Sequence, residues 1–433
     1  MYKAKLLDYL NDLGTGRSAG KLILRARDRF LTELDGDEFE WDWTRFNDCC
    51  EFLESLELPD ISKPLVLQPF QLWIIALVYA RCERGKPGIP ATKLLMVEAG
   101  RGAGKTAFSA ALIVYEAISN HKKITVDIAS IGVRQAHIST SFAQTFASQI
   151  GEPLKNYHAV GRPPVKNEDT GSILRVLTDD PDAFHGGSAR IAFLDEVAHL
   201  KKDTLSMAQT GRAKREDAMV WTMSTPDSDR NRPYYSDRDT AAHDLMHNTN
   251  DRGVYLLAFN ADPEDAVTDS IEILEKANPG IRGGMPSLEG LQFNYRKLVE
   301  NGDAAQKNRF IREHLCRFDD NISTFIDLDT WDECAGKVEI PDGCKVFMGV
   351  DLSRGGQGDR CDFTSFTVMS ILNGKYCIQQ KHMLPDANIK KLEARSHMPL
   401  SQWIDTGQIE LFQGETVEGE EVARQIYSVF EQF

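Results

Sequence analysis

The folding options of this chain are narrowed most by one octet, Ala99-Gly100-Arg101-Gly102-Ala103-Gly104-Lys105-Thr106. It comes after an apolar run (LLMVE) and opens an apolar helical stretch (TAFSAALIVYEAI). The octet fits the phosphate-loop pattern with Ala in the place of the first glycine. Gly102 and Gly104 let backbone N–H groups turn toward phosphate oxygens with no Cβ in the way. Lys105 is the residue type that reaches the β and γ oxygens, and the Thr106 hydroxyl is the ligand for Mg²⁺. The next helix aims its N-terminus at the anion.

Such a loop needs a sheet to carry it. Short apolar runs at 94–100, 124–132, 173–178, 190–196, 219–225 and 254–259 alternate with helix-length segments. This predicts an α/β fold whose central, mostly parallel sheet is covered on both faces. The chain divides into four regions: a helical N-terminal segment (1–60), the phosphate-loop core (61–260), a polar helical lid or linker (261–335) and a second β pattern (336–433). The first region is interrupted by an acidic, aromatic connector, DGDEFEWDW. The last begins KVFMGVDLS, and Asn373-Gly374 between two alternating runs predicts a hairpin. A short strand (408–412) and a helix (418–433) come after it.

Composition excludes some functions. A net charge of −15 rules out a uniformly basic nucleic-acid coat, while leaving room for a basic track on one face. No apolar run reaches the roughly 18–20 residues of a membrane span, and the N-terminus has no apolar signal core, so a cytoplasmic protein is expected. The cysteines form no CxxC pair, which predicts reduced thiols. His243 and His247 are four apart but lack a third ligand at metal spacing.

The strand Arg190-Ile-Ala-Phe-Leu-Asp195-Glu196 ends in two acids. Beside a phosphate loop, Asp195 suits holding Mg²⁺ through water, and Glu196 suits orienting and deprotonating the attacking water. Ser224 and Thr225, closing the strand MVWTMST, are candidates for sensing a γ-phosphate; an ordinary strand exit is the alternative. In LQPFQLWII, the amide of Gln71 (or Gln68) has the donor and acceptor to select ATP over GTP, with core packing as the alternative. Arg101 inside the loop, or Arg212 and Arg215 in the basic stretch with Lys201, Lys202 and Lys214, would neutralise transition-state charge in cis or in a neighbouring subunit. Asp351 ends the strand FMGVD, where an RNase H-like nuclease carries a metal-binding carboxylate.

In their order, LQPFQLWII, GRGAGKT, IAFLDE, the strand ending STP, and GVDLS followed by Asp362-Phe-Thr resemble the large subunit of tailed-phage terminases. The resemblance implies an ATPase that drives double-stranded DNA into a procapsid and an RNase H-like endonuclease that cuts concatemers. It implies ATP and Mg²⁺ for the first, and Mg²⁺ or Mn²⁺ for the second. The implied partners are DNA, a portal protein, a small terminase subunit and further copies in a ring, a pentamer on the portal. The implied location is the host cytoplasm with transient docking on the procapsid. Carried over by position, Lys105, Thr106, Asp195 and Glu196 take the ATPase roles, Ser224 and Thr225 the coupling motif, and Asp351 the first nuclease acid. The family nuclease needs later acids, for which Asp362 and Glu418 are the candidates here. The sequence ends inside a helix before the expected later strand, so an incomplete nuclease, inactive by itself, is expected. Arg296, Lys297, Lys307, Arg309, Arg312 and Arg317 form either a DNA grip or a solvated helix face. Two other readings compete: a helicase or repair translocase, and a nucleotide-gated assembly protein. The first would need helicase motifs near the STP strand, which are not found, and the second would dispense with Glu196.

Overall fold

The structure, a computed structural model, describes residues 1–59, 62–120, 122–130, 133–157, 163–177, 189–200, 203–249, 251–317, 336, 340–352, 363–386, 389, 400–405, 407, 409–412 and 419–433. Its contacts divide the chain into two units, Met1–Phe325 and Ile326–Phe433.

The first unit opens with α1 (Tyr2–Asp12), α2 (Lys21–Asp35) and α3 (Trp43–Glu54). Helical spacing sets what each buries: Leu6, Tyr9 and Leu10 on α1, Ile23, Ala26 and Phe30 on α2, and Phe46, Cys49, Cys50 and Leu53 on α3. Asp42 starts α3, its carboxylate accepting from the Arg45 N–H at 2.9 Å. Inside the acidic connector lies a strand, β1 (Phe39–Trp41), which pairs antiparallel with β2 (Arg81–Glu83) beyond α4 (Pro69–Ile75) and its π-helical extension. Arg81 is fully buried and needs a counter-charge there. Glu33 of α2 supplies it, with Arg81 Nε donating to Glu33 Oε2 at 2.8 Å. The three opening helices therefore share one core with the sheet.

Along the main strands, side chains alternate between two cores. In β3 (Leu94–Glu98), Leu95 and Val97 join one core and Leu94 and Met96 the other. After α5 (Lys105–Ser119), β4 (Thr125–Ala129) and α6 (Val133–Ile150) continue the pattern. Then come β5 (Leu154–Asn156), β6 (Val165–Asn167), β7 (Ile173–Leu177) and β8 (Ile191–Asp195). The series closes with α7 (Thr204–Gly211), β9 (Met219–Ser224), α8 (Tyr234–His247) and β10 (Val254–Ala258). Among the described residues the sheet has eight strands, ordered β10-β3-β9-β8-β4-β7-β6-β5. The first six run parallel, as the apolar runs predict, because both faces are covered. The short strands β5 and β6 add an antiparallel edge that the apolar pattern does not announce.

Beyond the sheet, α9 (Ile271–Ala277), α10 (Leu288–Tyr295) and α11 (Ala304–Leu315) bury Leu274, Ile281, Leu291, Phe310, Ile311 and Leu315 in a core of their own.

In the second unit, β11 (Phe347–Asp351), β12 (Thr364–Leu372) and β13 (Lys375–Pro385) form an antiparallel meander. Asn373 and Gly374 both have positive φ, 52° and 77°, as the predicted two-residue turn requires. The next strand, β14 (Ile409–Phe412), pairs parallel with β13, on the far side of the sheet from β11. The unit also contains α12 (Leu400–Asp405) and α13 (Gly419–Gln432).

Candidate nucleotide and nuclease sites

Parallel strands end side by side, so the segments leaving β3, β8 and β9 meet at one sheet edge, the usual place for ligands in such folds. After β3, the loop turns at Gly102 (φ +91°) and Gly104 (φ +71°), a region that disfavours residues with a Cβ. At Gly104 a Cβ would also stand 2.5 Å from Met285 Sδ. The buried Lys105 Nζ donates to Ala99 O (2.9 Å), Gly100 O (3.2 Å) and Thr225 Oγ1 (3.0 Å). Its three protons are thus all directed at protein oxygens. Thr106 sits beside it in the first turn of α5.

Asp195 is fully buried at the end of β8. Its Oδ2 accepts from Ser139 Oγ of α6 at 2.9 Å, and its Oδ1 has no side-chain partner among the described residues. Burial, and then the adjacent Glu196 charge, push its pKa up to about 6. A buried carboxylate with one orphaned oxygen suits a cation, so the fit to a divalent ion rests on the protein's own geometry.

Glu196 stands in the left-handed region, φ 51° and ψ 43°, which is costly for a residue with a side chain. Its surroundings hold it there. Oε2 accepts from the Thr225 N–H (2.8 Å) and Ser224 Oγ (3.3 Å), and Oε1 accepts from Thr225 Oγ1 (3.4 Å). Lys105, Glu196, Ser224 and Thr225 are therefore joined by hydrogen bonds, with Gly102, Gly104, Thr106 and Asp195 on the same loop, helix start and strand end.

The helices after the sheet grip the loop, a relation that no local motif announced. The Gly100 N–H donates to Ala277 O (2.8 Å), and the Arg101 N–H donates to Glu313 O (2.7 Å). Asn278, fully buried, ties this layer together by donating from Nδ2 to Leu274 O (2.7 Å) and His314 O (2.8 Å). The Arg101 guanidinium is largely exposed and lies 3.2 Å from Glu313 Oε2.

Other predicted residues are placed differently. Gln71 is buried, and its Oε1 accepts from the Gln68 N–H at 2.8 Å as part of a reciprocal cap on α4. Its carbonyl is committed to the helix start, whereas Gln68 lies against Gly283. Arg215 donates to both carboxylate oxygens of Asp217, at 2.8 Å each. Arg212 lines a small cavity with Asp127, Ala208 and Met219. Both arginines precede β9, whereas the phosphate loop comes after β3, so they lie at the opposite sheet edge from their own chain's loop. That placement removes the cis option for these two, because a strand of this length separates the edges by roughly 17 Å.

In the second unit, Asp351 is exposed at the end of β11 and registers with Ser365, which registers with His382. Ser365 Oγ and His382 Nδ1 are 2.9 Å apart. Asp362 and Glu418 lie outside the described residues, as do Lys201 and Lys202. Among the described residues no group of three His, Cys, Asp or Glu side chains is arranged to hold a metal ion.

Residues 96–237 match the family model "Terminase large subunit, T4likevirus-type, N-terminal", and residues 249–432 match "Terminase large subunit, endonuclease domain". The chain belongs to the large terminase subunits. Members of this family carry ATPase and nuclease activities and act on DNA. The crystal structure of the HK97 bacteriophage large terminase is similar over 90% of this chain and 78% of that one, with 20% identity and a TM-score of 0.55, a likeness of fold. The large terminase of a thermophilic bacteriophage is more distant, at 13% identity over 84% of this chain and 81% of that one, with a TM-score of 0.42. No curated protein matches the chain. Among the described residues of this terminase subunit, no helix is long and apolar enough to cross a membrane.

Proposed function

We propose that this large terminase subunit hydrolyses ATP at the shared edge of β3, β8 and β9 and uses the energy to move double-stranded DNA into a procapsid. One observation carries the reading: Thr225 Oγ1 accepts from Lys105 Nζ and donates to Glu196, beside an Asp195 oxygen that has no side-chain partner among the described residues. Thr106 and Asp195 are the residues to hold Mg²⁺. When bound, that ion neutralises charge on the phosphate oxygens. Lys105 exchanges its carbonyl partners for phosphate oxygens, and Glu196 takes a proton from the attacking water. Ser224 and Thr225 report the γ-phosphate to the loop beyond them. The Gln68–Gln71 turn reads adenine, with Gln71 fixing the turn. Arg101 stabilises the transition state after leaving Glu313, while Arg212 and Arg215 serve a neighbouring subunit's site.

The second unit is the endonuclease, with Asp351 the first carboxylate for Mg²⁺ or Mn²⁺ and Asp362 and Glu418 further candidates. The subunit works in the host cytoplasm as a homo-oligomeric ring, a pentamer on the portal protein, fed DNA by the small terminase subunit.

Three variants test this. Glu196→Gln retains ATP binding and stops hydrolysis; unchanged turnover would remove the base. Lys105→Ala loses ATP in a filter-binding assay, and wild-type affinity would contradict the loop assignment. Asp351→Ala stops metal-dependent cutting in a chain that cuts, at an unchanged ATPase rate. Persistent cleavage would place the first metal carboxylate elsewhere.

A further inference from the structure

One turn beyond Glu196 the chain carries a histidine that the reaction described above does not use. His199 ends the single 3₁₀ turn Val197–His199. Its Nδ1 lies 2.8 Å from Asp227 Oδ2, and its Nε2 lies 3.7 Å from Glu196 Oε2. Asp227 is itself built in. Its Oδ1 accepts from the Asp229 N–H and from Ser228 Oγ, both at 3.0 Å, and its N–H donates to Tyr235 OH at 2.6 Å. Arg232 approaches the same Oδ2 at 3.7 Å. A carboxylate anchored in this way fixes the imidazole by accepting from Nδ1–H, and so decides which edge of the ring faces the next group.

We propose that His199 is a positioning residue for Glu196, held by Asp227 so that its Nε2 edge confines the Glu196 carboxylate to the reacting side of the site. The proposal rests on the reading of Glu196 as the base. The separation of 3.7 Å exceeds a direct hydrogen bond, so a single water completes the contact. Asp227 comes two residues after Thr225, so the same loop that bonds Glu196 through Thr225 also sets the histidine. Glu196 is thereby bracketed from both ends of one short segment.

The test compares His199→Ala, His199→Asn and His199→Gln with Glu196→Gln in steady-state ATPase assays, with thermal unfolding of each variant. An asparagine amide reaches Asp227 in place of Nδ1 but not Glu196, whereas a glutamine amide reaches toward Glu196 in place of Nε2. The expected result is a kcat about 10–100-fold lower for Ala and Asn, with KM for ATP within about threefold, and substantial recovery for Gln. Wild-type kcat in His199→Asn would show that only the bond to Asp227 matters and would overturn the proposal. Equal loss in all three variants with lowered unfolding temperatures would assign His199 to folding and overturn it too. Continued turnover by Glu196→Gln would instead sink the base assignment, and this proposal with it.

Discussion

Glu196 and Thr225 are joined twice: the carboxylate accepts from the Thr225 N–H at 2.8 Å and from the Thr225 hydroxyl at 3.4 Å. The same hydroxyl accepts from Lys105 at 3.0 Å, so one small side chain links the proposed phosphate-binding lysine to the proposed base. Thr225→Val keeps the backbone bond and the volume while deleting that link. Hydrogen bonds to charged groups are worth about 1.5–3 kcal/mol, so kcat should fall about 10–150-fold. Steady-state kinetics beside equilibrium ATP binding check this; a large loss of binding with kcat intact would assign the hydroxyl to the ground state.

Ser139 holds one oxygen of Asp195, and the other, without a side-chain partner among the described residues, is the one proposed above to meet Mg²⁺. Removing such a supporting donor costs about 10–100-fold in metal affinity. Ser139→Ala should therefore raise the Mg²⁺ concentration for half-maximal ATPase activity by that factor. A second readout is the nucleotide-dependent thermal shift, which should need correspondingly more Mg²⁺. An unchanged Mg²⁺ dependence would leave Ser139 as packing alone.

His314 is buried in α11, and burial lowers its pKa from 6.5 to about 4. The unfolded chain binds a proton there between these values and the folded chain does not. Stability should therefore fall as pH drops from about 6.5 to about 4, by up to ~3 kcal/mol from this group, and level off below. Urea denaturation across that range, with His314→Asn as the comparison, measures it. Equal pH slopes for the two proteins would contradict the assignment.

Gly104 combines positive φ with the close approach of Met285. Backbone strain of this kind costs of order 1–3 kcal/mol, before any displacement of the methionine. Gly104→Ala should weaken ATP binding by about 5–150-fold. Wild-type affinity in a titration would mean that the loop adapts more freely than its two glycines suggest.

Much of the sheet and half of the active edge are legible locally. A glycine-rich turn between an apolar strand and a helix, or a strand ending in two acids, is a contiguous pattern with a mechanism, and the Asn373-Gly374 hairpin rests on the same kind of chemistry. The features that local patterns miss depend on residues distant in sequence. The strand in the acidic connector exists because Trp41 and Arg81 register across 40 residues, and Ser139 meets Asp195 only once β8 lies beside β4. An amide among aromatics offers both a donor and an acceptor, which points to Gln71 as an adenine reader, but its carbonyl serves the α4 cap. The opposite-edge position of Arg212 and Arg215 comes from strand direction, which periodicity does not encode.

The buried Arg81 also bears on how the protein is made. Its partner Glu33 is synthesised 48 residues before it, and Tyr255, whose hydroxyl donates to Glu33, comes 222 residues after Glu33. At about 5–20 residues per second, the ribosome delivers that last member on the order of 10–40 s after the first. Over that interval the opening helices hold an acid whose final surroundings have yet to emerge. The cluster around Arg81 is therefore completed only after the final strand of the main sheet has left the exit tunnel.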